Sequence, residues 1–496
     1  MNSRTLPRSR ISFTPLAAAA LTLLCAGTAA QAQTIIHNFA GLGLAETSVL
    51  KGFRYAPPDT NGAIGSNNFV EFINGGYAVY DRNGARSAFT TDSQFWRNAG
   101  VSAALVNQGL SDTRVKYDPG SQRWFAAEIT TSSVSNSVLL AVSKTSNPLD
   151  GWNSTSYNVA GGSTFNDYPT LNIDANAVYI GSNDFTSSSG GFKGVTLSSI
   201  PKSSLLGVAP TTAGIATFTQ ANSAMGFTPQ GITNYGTGYT GSKVIAVSAT
   251  AFNKVQVTAI NNTAAAGATL GATQVITVAH DGNGTLARQP NGSRIIDTLD
   301  NRISGTVQQV GNRIYATNAF NDGNQGSNTA PGFNSVHWMV IDATTGALLQ
   351  EGLLQDASHD YFQPSIAANE NGDVVIGYNK SGANMNISSF AAIGHTAAGV
   401  LSFTDDVLLA TSAVGNYTDG FNSPPSRWGD YSATMVDPTD SNVFWTIQEL
   451  ASDSSNFGTQ ITAIRLAAAV PEPETYALML AGLAALGMVA RRRKSA

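Results

Sequence analysis

Residues Arg427–Glu449, RWGDYSATMVDPTDSNVFWTIQE, decide the fold. A polar cluster, Arg427 and Asp430, opens the stretch. A short strand pattern over Ser432–Val436 follows, then a turn at Asp437-Pro438 and a second, aromatic-rich strand over Val443–Gln448. Two runs rich in Val, Ile, Tyr and Trp on either side of an Asp, Asn, Gly or Pro turn spell a β-hairpin.

Looser copies of this unit recur along the chain. They begin at Asp59-Thr60-Asn61-Gly62, at Ser111-Asp112-Thr113-Arg114, and at Asn166-Asp167-Tyr168-Pro169. A weaker copy starts at Thr228-Pro229-Gln230, and two more at Arg302-Ile303-Ser304 and Tyr361-Phe362-Gln363-Pro364. One or two further strand patterns fit between consecutive copies, among them Ser137–Ser143 and Trp152–Asn158. Four strands per unit, repeated every ~50 to 75 residues, predict a propeller with long loops. The expected fold is all-β, one large β-propeller over residues 58–468. Seven blades are favoured, with six as the alternative because the fourth copy is poor. Residues 33–57 read as a lead-in. A pair of β-sandwiches would not need a polar cluster before each first strand. Helices have little support: Pro201–Leu206 allows one turn, and Ala264–Ala272 reads as loop or weak strand.

Composition agrees. The chain has 496 residues, 49 of them Gly, and only 12% are charged. Its polar positions are dominated by Ser, Thr, Asn and Gly, which favour strands and turns. The formal net charge is −5. Seven of the 27 basic residues and two of the 32 acidic residues lie in the two ends, so the body sits near −10. An acidic body argues against nucleic acid as a partner. The single cysteine, Cys25, lies in the leader, which leaves the body without disulfides or thiolate-held metals.

Both ends read as addresses. Residues 1–32 have the form of a signal peptide: Arg4, Arg8 and Arg10, an apolar run Leu16–Ala26, and the small-x-small pattern Ala30-Gln31-Ala32. At the other end, Pro471-Glu472-Pro473 is followed by the apolar run Tyr476–Ala490 and then by Arg491, Arg492, Arg493 and Lys494. This order closely resembles the PEP-CTERM sorting signal of Gram-negative bacteria, over residues 469–496. The resemblance implies export, transient membrane anchoring through the C-terminal helix, and processing by an exosortase, with signal peptidase acting at the front. It also implies the cell surface or the extracellular matrix as destination, often with extracellular polysaccharide as a partner. A basic tail would hold the helix end at the cytoplasmic side.

Candidate chemistry follows from the propeller. The first strand of each blade lines the central channel, so the polar clusters predict a ring at its mouth. Its members are Asp59, Asp112, Arg114, Asp167, Gln230, Arg302, Gln363, Arg427 and Asp430. The plainer role for such Asp and Asn side chains is to cap backbone groups in tight turns. Asp59, Gln230 and Gln363 are taken as binding candidates. Asp112, Arg114, Asp167, Arg302, Arg427, Asp430 and Tyr431 are catalytic candidates for glycan hydrolysis, with Tyr168 nearby. Such hydrolysis needs two carboxylates at working distance, or three arginines and a tyrosine. The blade pattern resembles the sialidase-like propeller superfamily, but the Asp-box signature of those enzymes is missing.

No cofactor is implied. Calcium among the face aspartates is the one metal the sequence allows, at Asp59-x-Asn61-Gly62 or Asp281-Gly282-Asn283-Gly284. The second loop fails as an EF-hand, because Leu286 and Gly292 stand where a glycine and a bidentate acid belong. His37, His280, His337, His359 and His395 form no zinc pattern. The six tryptophans could stack on sugars but are better placed as core. The resulting expectation is an exported surface or matrix protein that binds glycan or another surface component. A glycan-active hydrolase at the channel mouth is the alternative. A third possibility is a structural protein whose channel is plugged by loops such as Thr186–Gly191 or Asn321–Asn328.

Overall fold

The computed structural model describes residues 33–467, apart from 133–135, 160–163, 188–189, 221–224, 239–240 and 422–423. The predicted leader and sorting tail, with its apolar helix, lie outside the described residues. The chain divides into two compact units, Ile35–Arg465 and, from the two ends, Met1–Thr34 with Leu466–Ala496; nearly all the described residues belong to the first.

That unit is built from seven blades, each of four antiparallel strand levels, with a separate two-stranded sheet of Ala287–Arg288 and Arg294–Ile296. The inner strand of blade 1 is Gly62–Ile64, of blade 2 Leu110–Asp118, and of blade 4 Phe227–Thr233. Blades 5, 6 and 7 begin with Val307–Val310, His359–Ala368 and Ala433–Asp437. In blade 3 the inner level is broken into Thr164–Asp167 and Asn172–Ile173, because Tyr168 adopts a left-handed φ of 57° and Pro169 follows it. Neighbouring inner strands run parallel: Ile232 pairs with Val307 and Thr233 with Gln308, which joins blades 4 and 5 into one continuous sheet. The poor fourth copy is therefore a full blade, and the count is seven.

The seventh blade is completed from the far end of the chain. Its outermost strand is Gln33–Gly43, hydrogen-bonded to Phe457–Leu466. Part of the segment read as a lead-in thus belongs to the propeller and closes the ring by supplying the fourth strand of the seventh blade.

The hairpin turns form by the mechanism their residues suggest. In blade 7 the Asp437 carboxylate accepts from the Thr439 N–H at 2.8 Å. Asp118 accepts from Gly120 N–H in blade 2, Asp174 from Asn176 N–H in blade 3, and the Asn369 amide oxygen from Asn371 N–H in blade 6. Each is a short side chain closing its own turn two residues on.

The core is a series of apolar layers between adjacent blades, not one central nucleus. Blades 1 and 2 bury Phe72, Val115, Tyr117 and Trp124 between them. Blades 7 and 1 bury Phe69, Trp445 and Ile461. The helix Asp92–Asn98, unexpected from the sequence, supplies Phe95 and Trp96 to the first of these layers and is capped by Thr91, whose hydroxyl accepts from Gln94 N–H. The predicted turn near Pro201 is the 3-10 helix Lys202–Ser204. All six tryptophans are buried, which removes them as sugar-stacking platforms.

Candidate functional site

The strand starts repeat one backbone device. Asp59, Asp112, Tyr168, Thr228 and Gln363 all hold φ between 48° and 65°. In blades 2, 4 and 6 the residue pairing slips at this point, between Ser111 and Arg114, Phe227 and Gln230, and Phe362 and Ser365. These are β-bulges, which bend the strand and re-aim its side chains. The residue two places on then reaches sideways to the next blade. Arg114 Nε donates to Pro169 C=O, the Thr170 hydroxyl to Pro229 C=O, and Gln230 Nε2 to Ile303 C=O.

Most predicted ring residues do gather on this face, where the inner strands begin, but they are largely spent on holding it together. Asp59 accepts from Asn74 Nδ2 at 2.8 Å and from Asp430 N–H at 3.0 Å, tying blade 1 to blade 7. Asp112 accepts from Tyr168 N–H at 2.9 Å, tying blade 2 to blade 3. Gln230 also accepts from Asn172 Nδ2, whereas Gln363 Nε2 is buried without a partner. Burial pushes the Asp59 carboxyl well above the usual range, and the neighbouring Asp430 and Asp112 push it further. Burial does the same to Asp430, against the pull of Arg427. Asp167, half-buried, is raised to about 7 by burial and by Asp112 and Asp430.

The channel axis is filled on this side. The Arg114 guanidinium packs on the Tyr431 ring, with Tyr168 at 5.2 Å, and its Nε donates to Pro169 C=O at 2.9 Å. Tyr168 and Tyr431 meet edge to face at 5.6 Å. Their hydroxyls donate to Asp430 C=O and Thr113 C=O, both at 2.9 Å. The three arginines have different partners. Arg302 lies over Tyr168 at 4.4 Å and binds Asp300 through two 2.7 Å contacts, whereas Arg427 is exposed and pairs with Asp430 at 3.1 Å. Residues 321–328 pack elsewhere, with backbone bonds to Asn283 and Leu286.

The open cavity lies on the opposite face, where the inner strands end. It has a volume of about 440 Å³. Amides and hydroxyls of Asn61, Thr233, Asn234, Thr306, Gln308 and Thr434 line it, with Tyr117 and Tyr235 at the wall. Tyr235 is 40% exposed and donates its hydroxyl to Tyr117 C=O. Lys116 also lines the cavity, its Nζ donating to Thr306 Oγ1 at 2.5 Å. Burial, reinforced by Arg114, lowers this amine to about 7.

Sequence reasoning did not single out Lys116 or the polar wall around it. A signal was present: Lys116 is a lone charge inside the strand pattern Val115–Tyr117, and residues two apart on a strand share a face. Val115 and Tyr117 enter the blade 1–2 core, so Lys116 faces the lumen with Arg114.

Among the described residues no group of three or more His, Cys, Asp or Glu is placed to hold a metal ion. At the two calcium candidates, the Asp59 carboxylate is taken as above, and Asp281 accepts from Asn253 N–H and Asn301 Nδ2, both at 2.7 Å. Among the described residues no helix is long and apolar enough to cross a membrane.

The PEP-CTERM protein-sorting motif is matched over residues 469–494. A search of the curated proteins found no match. Among solved structures, the chain is similar to the α-L-arabinanase of Penicillium chrysogenum in complex with arabinobiose, at 11% identity and TM-score 0.38, covering 82% of this chain and 94% of that one. It is similar also to the α-L-arabinanase of Cellvibrio cellulosa, at 11% identity and TM-score 0.31, over 75% and 96% of the two chains. A third likeness is to the quinohemoprotein alcohol dehydrogenase of Comamonas testosteroni, at 8% identity and TM-score 0.37, over 82% and 66%. At such scores these likenesses carry no activity to this chain and do not single out the sialidase-like superfamily. The protein is a seven-bladed β-propeller. Its sorting motif marks it for export and exosortase-dependent delivery to the surface or exterior.

Proposed function

We infer that the protein binds glycan at the cell surface without hydrolysing it, and that the cavity at the strand-end face is the binding site. The observation that carries this is the cavity wall: amides and hydroxyls with the Lys116 amine and the exposed Tyr235 ring, in a volume within the roughly 300–1,000 Å³ range of small-ligand sites. Sugars are recognised by such donors and acceptors together with aromatic faces. The acids at this wall are Asp437 and Glu370. Asp437 is already bound by Arg82 and by Trp445 Nε1, and Glu370 sits exposed on the rim, so no pair of free carboxyls faces a bound sugar. A glycan array run beside a panel of fluorogenic glycosides tests this. Binding without turnover is expected; turnover of any glycoside, or binding that survives substitution of the cavity wall, would overturn it.

A second reading has one observation in its favour. Asp167 is half-buried on the opposite face, and a carboxyl near 7 suits a general acid. Asp430 and Asp112 lie close enough to raise it. In that reading the protein is a glycoside hydrolase using those acids, and turnover would vanish in Asp167→Asn while binding in the cavity persisted.

A further inference from the structure

Two cations face the channel lumen with no acid beside them. Arg114 and Lys116 stand two residues apart on one face of the blade 2 inner strand, and they line a common void of about 10 Å³ between the plug and the main cavity. Neither has a carboxylate partner among the described ion pairs. Arg114 is only 5% exposed, and its Nη2 is a buried donor without a partner. Lys116 has the Thr306 hydroxyl. A buried guanidinium nitrogen left unmatched is costly and calls for an acceptor. The void has room for about one water, and it shares Asn61, Val115, Lys116 and Thr306 with the main cavity.

We propose that the cavity takes an acidic sugar unit, a uronate or another saccharide bearing a carboxylate, with that carboxylate seated on Lys116 Nζ and reached by Arg114 Nη2 through a water in the void. This deepens the glycan-binding reading and rests on it. The sugar hydroxyls meet the amides of Asn61, Asn234 and Gln308. A single carboxylate matches the site, because one cation reaches the ligand directly and the other through water. Without the ligand, burial and Arg114 lower the Lys116 amine to about 7, so both its forms are present near pH 7; with it, the ammonium form gains a counter-charge.

The test is calorimetric titration of the full-length protein with oligogalacturonate and with the carboxyl-reduced, neutral form of the same oligomer. The acidic oligomer is expected to bind about tenfold more tightly, the scale of one charge-assisted hydrogen bond. Lys116→Met should erase that preference, and Lys116→Arg should retain it. Unfolding curves of both variants establish that they fold. Equal affinity for the two oligomers would overturn the acidic-sugar assignment and leave the glycan-binding reading standing. A preference unchanged in Lys116→Met would place the carboxylate elsewhere and overturn it too. Silence towards both oligomers and the whole array would bring down both readings.

Discussion

The Arg114 guanidinium carbon lies 3.2 Å from the centroid of the Tyr431 ring. Blade 2 and blade 7, with blade 1 between them, thereby meet at the channel axis, and Tyr168 of blade 3 closes against the same pair. A desolvated cation on an aromatic face contributes about 2 kcal/mol. Tyr431→Leu, which removes the face, is expected to destabilise the protein by about 3 kcal/mol once lost packing is included. Tyr431→Phe, which removes only the bond to Thr113 C=O, should cost about 1 kcal/mol. Urea unfolding of the two variants separates ring from hydroxyl; equal costs would show that the hydroxyl, not the cation contact, holds the plug.

Acidification should stabilise this protein over a defined window. Glu71, fully buried between blades 1 and 7, is raised to about 7, chiefly by burial and against hydrogen bonds from Thr459, Tyr80 and Leu42. Asp167 is raised to about the same value. A carboxyl whose folded pKa exceeds its unfolded value holds more protons when folded, so the stability it lends is full below about 4.5 and is lost as pH rises towards 7. The melting temperature is expected to fall between pH 5 and pH 7.5. Glu71→Gln should flatten its share of the slope, which has an upper bound of about 3 kcal/mol. A melting temperature that rises across that interval contradicts the assignment.

Lys116 should react at a pH where ordinary lysines do not. Its amine is lowered to about 7, so at pH 7.5 most of it is uncharged and nucleophilic. A small acylating reagent such as acetic anhydride, used in limiting amount, is expected to label Lys116 ahead of exposed lysines. Peptide mass spectrometry after proteolysis reads this directly. Labelling that tracks exposure alone would refute it.

Asp59 is predicted to act as a tie between blades and not as a catalytic acid. Asp59→Ala removes acceptors for Asn74 Nδ2 and Asp430 N–H and leaves buried donors unmatched, a loss of about 2 to 4 kcal/mol. Asp59→Asn keeps one acceptor oxygen and tolerates the left-handed φ of 48°, so about 1 kcal/mol is expected. Denaturant midpoints of the two variants decide between these roles.

The blade count was legible because each turn carries its own chemistry. Asp437-Pro438, Asp118-Pro119 and Asn371-Gly372 announce hairpins within a few residues of sequence, and the polar residues before them mark the bulged strand starts. The location of the cavity was not legible. The same strands carry polar side chains at both ends, and the plug arises from Arg114, Tyr168 and Tyr431, whose meeting depends on ring closure across more than 300 residues. The helix Asp92–Asn98 was hidden because its Phe95-Trp96 pair reads equally well as strand. The closing strand Gln33–Gly43 was missed for a related reason: its partner, Phe457–Leu466, lies at the other end of the chain.

That closure also sets an order in time. Synthesis from the N-terminus delivers residues 33–43 first, yet their partner strand, residues 457–466, emerges last. That first strand must wait for its partner while six blades are made. Until then the ring is an arc with an open seam. The seam closes when residue 466 has cleared, just ahead of the sorting motif that begins at 469. Completion of the fold and arrival of the sorting signal are therefore nearly one event.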